Sequence, residues 1–347
     1  MSITQKLSKR GAILAASLVL GAAFTASSLT AQTVSTAPVG AVTKTIPVGL
    51  TPVGITLLNP DLLVANSTSS TTTSITLSGA TNVGALLTSG LPYYVEAISG
   101  PLVGDRFDVD TAATITAANG SVVINTSSAN NTFTLAASSA VGSQFALRKH
   151  VTLAQIQASC SSALVGNNVA ANADQIWFYS PATDTFNIYY LRADLVNWRA
   201  SGSTANVPNT AVPAGVGIFF RKVTSPTTLV STGGVRLNNF SLPLQTGLSL
   251  NAPAYPVSFS PSDFGGTAAN GWTGNNTAAN ADQLQTYDSA TDSFVSYYLR
   301  LDGTTWRQSG TTTAVTTNKL FAYDSAYLVS RKTANQDYTL ISPISNL

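Results

Sequence analysis

With 347 residues, 44% of them hydrophobic and only 9% charged, the chain has enough apolar surface for two or three packed cores, which excludes a disordered protein. Lys6, Lys9 and Arg10 account for three of its 17 basic residues; the other 14 face 15 acidic ones, so there is no electrostatic footprint for nucleic acid or anionic membrane. One Cys, Cys160, excludes an internal disulfide and leaves that thiol either buried or available to a second chain.

In chain order, the first element is a predicted secretory signal peptide over residues 1–31. The basic start is followed by the small, apolar, uncharged run Gly11 to Ala26, with Ala31 as the cleavage residue. No later run of 18 apolar residues exists, so no membrane insertion is expected after cleavage. The expected location is secreted, at the cell surface or in the extracellular space, with the periplasm as the other destination.

Residues 32–140 read as an N-terminal β domain, a sandwich or a barrel. Val42 to Val48, Thr51 to Leu58, Ser74 to Leu77, Tyr93 to Ile98, Arg106 to Val109, Ser121 to Asn125 and Thr132 to Leu135 are short β-branched or aromatic runs bounded by turn residues. The Ser/Thr-rich stretch Asn66 to Thr73 is expected as an exposed loop. The segment GDRFDVD places Asp105, Asp108 and Asp110 close together, with Asp108 and Asp110 on one strand face. These three are the metal candidates, for calcium, which takes six to eight oxygen ligands.

The second half then repeats itself. Gly166 to Gly202 and Gly274 to Gly310 align without a gap at a spacing of 108 residues, with 23 of 37 positions identical. A period this long marks a small domain rather than a solenoid turn. Residues 141–246 and 247–347 are accordingly expected as two homologous β units. Each opens on a helical turn, capped by Thr152 in the first and Ser260 in the second. A hairpin follows in each: Gln175 to Tyr179 with Phe186 to Arg192, and Gln283 to Tyr287 with Phe294 to Arg300. Trp198 and Trp306 begin a third strand. Gly215 to Lys222, echoed by Tyr327 to Lys332 at an offset two residues longer, closes the unit.

The chemistry-bearing residues are few. His150 is the one His, and Ser258 and Ala268 stand in the second unit where the first has His150 and Cys160. Glu96 is the one Glu of the mature chain. No nucleophile elbow, Walker loop, HExxH or CxxC motif occurs, so no catalytic residue and no enzyme activity is expected. The repeated Asp174, Asp184 and Asp194, with Asp282, Asp292 and Asp302, fall where strands turn and read as turn caps. Trp198, Trp306, Tyr190 and Tyr298 either fill the cores of the two units or stack on a surface glycan.

Together, the segments PYYVEAISGPLVGDRFDVD (from Pro92), LRKHVTLAQI (from Leu147), ADQIWFYSPATDTFNIYYL (from Ala173) and GVGIFFRK (from Gly215) resemble a paralogous family of secreted proteins found in Verrucomicrobia. The resemblance implies an exported, β-rich protein and carries over no activity, cofactor or catalytic residue. The second copy departs from the pattern in lacking Gly-x-Gly before Tyr327.

The expectation is therefore an all-β exported protein, with an N-terminal β-sandwich or barrel followed by two tandem homologous β units. Its first functional reading is a non-catalytic structural subunit, of a surface layer, filament or extracellular matrix, that self-associates through an uncapped edge strand. The alternative is a glycan- or ligand-binding module using the duplicated aromatics. A third reading, an exported hydrolase, needs convergent Asp residues that the sequence does not advertise.

Overall fold

The computed structural model describes residues 38–333 and 336–344, so the leader expected over residues 1–31 lies outside the described residues. From Pro38 onward the chain is one compact unit, and it is all-β. It opens with β1 (Val39–Ile46) and β2 (Gly49–Val53). There follow β3 (Asp61–Ser70), β4 (Ser74–Leu77), β5 (Tyr93–Ser99), β6 (Arg106–Asp108), α1 (Thr111–Ala117), β7 (Ser121–Val123) and β8 (Gln144–Lys149). Next come β9 (Val151–Thr152), α2 (Leu153–Ala158), β10 (Gln175–Ser180), β11 (Thr185–Leu191), β12 (Trp198–Ala200), β13 (Ala211–Val212), β14 (Ile218–Lys222) and β15 (Thr227–Gly234). The last stretch holds β16 (Phe240–Leu244), β17 (Gly247–Asn251), β18 (Gln283–Asp288), β19 (Ser293–Leu299), β20 (Trp306–Gln308), β21 (Tyr327–Arg331) and β22 (Gln336–Leu340).

Strand pairing shows how the duplication is built. One five-stranded sheet runs β12-β11-β10-β14-β2, and the other runs β20-β19-β18-β21-β17. β2 thus holds in the first repeat the place of β17 in the second. The ribbon β1-β15 likewise matches β16-β22. Gly49 and Gly247 occupy the same corner between these strands, at φ +102° and +92°, a backbone conformation that a side chain resists. Gly49 precedes Gly247 by 198 residues, whereas Asp174 precedes Asp282 by 108. The difference, 90 residues, is a block that follows Asn59 and ends at Lys149, set inside the first repeat. Sheet pairing therefore crosses the boundary expected near residue 140: β1 and β2 precede the block yet pair with the first repeat. β16, expected at the end of the first unit, pairs with the last strand of the second.

The inserted block is a six-stranded antiparallel sheet, β6-β5-β8-β3-β4-β7. Its two edges meet at the bridge Val109↔Ile124, where Asp110 N–H donates to Val123 O and Asn125 N–H to Asp108 O, so the sheet curls into a barrel. Alternation along β5 explains its complete burial. Tyr93, Val95 and Ala97 belong to the barrel core, while the intervening Tyr94 and Glu96 are buried outside it, Glu96 against Arg148 of β8 and Arg236 beyond the repeat.

Several local expectations change. Asn66 to Ser70 is strand, not loop, because β3 pairs with β8 on one side and β4 on the other, and Ser and Thr suit its exposed face. Thr132 to Leu135 forms no strand; Thr132 instead covers β6, its hydroxyl accepting from Arg106 N–H at 2.8 Å. Thr152 caps α2 as expected, its Oγ1 accepting from Gln155 N–H. Ser260 caps only a turn: it exchanges bonds with Asp263, but Pro261 to Gly265 does not extend into a helix. Finally, the registers align Lys222 with Arg331, so the offset is one residue longer than 108, not two.

The two repeats have separate cores, built around Trp198 and Trp306 respectively. Their sheets then meet through a smaller cluster centred on Phe219 and Leu328, which stand at equivalent positions. Phe219 makes edge-to-face contacts with Phe186 of its own repeat and with Tyr287 and Phe294 of the other. Reciprocal backbone bonds flank this cluster: Ala252 N–H donates to Gly215 O and Gly54 N–H to Asp324 O. Equivalent segments thus reach across to the opposite repeat, the self-complementary pattern of a two-fold interface fused into one chain.

Candidate functional site

The duplicated aromatics are core. Trp198 and Trp306 are fully buried, and Tyr190 and Tyr298 are buried as well. Each indole is also fixed by a bond: Trp198 Nε1–H donates to Gln157 Oε1 at 2.9 Å, and Trp306 Nε1–H to Gly266 O at 2.6 Å. The registers Leu191↔Trp198 and Leu299↔Trp306 set both rings on the face packed against the repeat core. They form no exposed platform for a sugar. Trp198→Ala and Trp306→Ala are each expected to cost about 3–5 kcal/mol. Urea unfolding followed by far-UV circular dichroism checks this, and a change below about 1 kcal/mol would contradict full burial.

The repeated Asp residues divide into two kinds. Asp194 and Asp302 are turn caps, each accepting two backbone N–H bonds from the residues two and three positions on. Asp184 and Asp292 sit at φ +52° and +50° in the hairpin turns and accept from the hydroxyls of Tyr179 and Tyr287. Asp174 and Asp282 are not turn caps. Both are fully buried and paired with a buried cation, Lys222 in the first repeat and Arg331, at 3.1 Å, in the second.

Asp105, Asp108 and Asp110 do not converge. Asp105 accepts from the Thr132 hydroxyl, and Asp110 caps α1 by accepting from Ala113 N–H at 2.9 Å. Asp108 lies 2.9 Å from His150 Nε2 and also accepts from Ser128 and Asn130. Burial opposes its ionisation, but the His150 contact and the two further bonds outweigh it and hold its carboxyl below the usual range. The shared strand face expected for Asp108 and Asp110 is absent because β6 ends at Asp108 and the chain turns into α1. Among the described residues, no three His, Cys, Asp or Glu side chains gather as metal ligands.

His150 and Cys160 have different partners. His150 packs against Tyr94 with ring centroids 4.5 Å apart, whereas Cys160 Sγ donates to Ile156 O. Cys160 is half-buried, and burial pushes its thiol up to about 11, which leaves little thiolate at neutral pH.

Glu96 is the centre of a charge cluster that sequence reasoning missed. Its Oε1 accepts from Arg236 Nε–H at 2.8 Å and Asn238 at 3.0 Å, and its Oε2 accepts from Arg148 at 2.7 Å. Arg148 also bonds Asp61, and Arg236 donates to Ala254 O at 2.9 Å. The guanidinium carbons of Arg106 and Arg236 lie 3.9 and 4.3 Å from the centre of the Phe240 ring. The inserted barrel, the segment between the repeats and the second repeat are therefore joined at one buried point. With its oxygens committed to two arginines and an amide, Glu96 is arranged as a clamp. The available signal was a lone Glu inside an otherwise apolar strand.

Several strand edges are covered among the described residues. β12 and β20 are covered through the bridges Arg199↔Asn206 and Arg307↔Ala314. β17 is met by Val216, and β2 carries Pro52, whose carbonyl accepts from the Ser325 hydroxyl. β16 is capped by the barrel: Ser241 N–H donates to Gly104 O, and Arg106 donates to Ser241 O. Its counterpart β1 has no such cover. Among the described residues the backbone of β1 bonds only β15, so one side of an eight-residue strand keeps its ladder groups unpaired. Val39, Ala41, Thr43 and Thr45 are exposed along it, and Lys44 is its one charge, paired with Asp324 at 3.2 Å.

Comparison with protein-family models, with curated proteins and with solved structures finds no match for this chain. No described helix is long and apolar enough to cross a membrane.

Proposed function

We propose that the protein is an exported, non-catalytic structural subunit of the cell surface or extracellular matrix that assembles with its own copies by strand addition at β1. The observation that carries this reading is the edge of β1, left bare among the described residues, eight residues long, neutral apart from a paired Lys and rich in small and β-branched side chains. Such an edge offers backbone hydrogen bonds to an incoming strand, with alternate side chains setting register. The low charge of the chain suits close packing between subunits, and the leader pattern of residues 1–31 supports export.

The test is light scattering and negative-stain microscopy of the mature chain beside an Ala41→Lys/Thr43→Lys variant. Both positions are exposed, so the variant should keep its thermal midpoint, while the added charges oppose strand pairing. Ordered assemblies of the parent that disappear in the variant are expected, in calcium and in chelator alike. A parent that stays monomeric at high concentration would overturn the proposal.

A further inference from the structure

The hairpin β10-β11 is longer than the core it covers. Ile176 and Leu191 are fully buried in the core of the first repeat, while Phe178 and Tyr189, next on the same face, pack only on its rim. The strands continue to Ser180 and Thr185, so the inner face of the hairpin overhangs a cleft. The loop between β13 and β14, the strands β16 and β17, and Arg106 of the barrel supply most of the remaining lining. The cleft measures about 490 Å³, within the range of about 300–1,000 Å³ in which proteins enclose small molecules.

The equivalent hairpin face of the second repeat is built differently. Thr286 and Val295 stand in the places of Phe178 and Asn187, and each pair meets across its hairpin in the same register. Val295 packs on the second core, and Tyr297, the counterpart of Tyr189, is buried and edge-on to Phe321 at 5.8 Å. In the first repeat Tyr189 is half-buried and Asn187 is exposed. Among the described residues the Tyr189 hydroxyl and the side-chain amides of Asn187 and Gln245 bond no protein group, and none of them is shut off from solvent. Arg106 is the one charged residue in the lining. Its guanidinium is already engaged, donating to Ser241 O at 2.8 Å and Gly104 O at 3.4 Å and lying over the Phe240 ring.

We infer that this cleft binds a neutral saccharide of one or two rings, its C–H face against Phe178 and Tyr189 and its hydroxyls bonded to Asn187, Gln245 and the Tyr189 hydroxyl. The chemistry of the lining sets the class. An amide or a phenol offers both a donor and an acceptor, as a sugar hydroxyl does, and the aromatic pair gives the sugar's C–H groups an apolar wall. A charged ligand would meet a single cation that the protein already holds. Size follows from the volume. An apolar cavity of about 150 Å³ encloses benzene, and a hexose has twice as many heavy atoms, so about 490 Å³ takes one ring with space for part of a second. Trp198 and Trp306 take no part, and the site is independent of β1 and of any assembly made there.

The test is saturation-transfer NMR on the full mature chain, with cellobiose, maltose, lactose and N,N′-diacetylchitobiose as neutral probes and glucuronic acid as the charged one. At least one neutral probe is expected to receive saturation, and glucuronic acid to bind more weakly than the best of them. Asn187→Val gives the first repeat the residue of the second, and Tyr189→Phe removes only a hydroxyl. Each should weaken binding of that probe about fivefold. Because Asn187 is exposed, Asn187→Val should unfold at the temperature of the parent, which separates lost binding from lost fold. Absence of saturation transfer to all four neutral probes would overturn the inference, as would an affinity left unchanged by either substitution. Glucuronic acid binding as well as the neutral probes or better would overturn the neutral class.

Discussion

Glu96→Ala is expected to destabilise the protein by about 3–5 kcal/mol, since it strips the counter-charge from buried cations. Arg236 and Arg148 both end on this carboxylate, and their guanidinium groups are almost wholly shielded from water. Glu96→Gln keeps the shape and an acceptor oxygen but not the charge, so it should fall between the parent and Glu96→Ala. The effect carries a pH signature. Burial alone would raise the Glu96 pKa, but Arg236 and then Arg148 reverse this and hold it at about 2, below the ordinary 4.5. A depressed carboxylate pKa stabilises the fold above the unfolded value, and that contribution fades as pH falls from about 4.5 toward 2. Urea midpoints of the parent and Glu96→Gln should therefore differ at neutral pH and converge near pH 2. A gap that stays constant across that range would show that the charge of Glu96 is not what holds the clamp.

Lys222→Met should cost about 3–5 kcal/mol by the same logic, because Asp174 and Lys222 are both fully buried and paired. The instructive comparison is Asp174→Leu/Lys222→Met. Replacing both members of a buried ion pair by apolar groups often restores stability. Here restoration should be incomplete. Asp174 also accepts Val165 N–H at 2.8 Å and Val223 N–H at 2.9 Å, and each orphaned donor costs about 1–3 kcal/mol. Asp282 does the same for Thr273 and Lys332, so the second repeat offers an independent replicate with Arg331 in place of Lys222. Equilibrium urea unfolding of the single and double variants measures both quantities. A double variant as stable as the parent would mean that those backbone donors find other acceptors.

The chemical roles were less legible than the strands. Asp174 and Asp194 look alike in the repeat, yet one neutralises a buried Lys and the other closes an exposed turn. The difference is one of depth, set by β14 and Lys222 pairing beside β10, nearly fifty residues along the chain. GDRFDVD suggests a strand face shared by Asp108 and Asp110, but its three carboxylates serve a threonine, a histidine and a helix end. Asn59 and Gln155, whose amides hydrogen-bond to each other, are separated by the inserted barrel, so nothing local links them.

Local pattern was enough to determine the all-β class, the duplicated block and its hairpins, since side-chain alternation and turn chemistry act over a few residues at a time. The tertiary structure decided that the first repeat is split. Residues 49–53 and 247–251 share only their opening Gly-Leu, GLTPV against GLSLN, and a sheet asks of a strand little more than alternation and a free ladder. It also decided which edges stay open. β1 and β16 are equivalent strands, but only β16 meets the barrel, through Gly104 and Arg106, and that contact depends on where an insertion of 90 residues folds back rather than on the sequence of either strand.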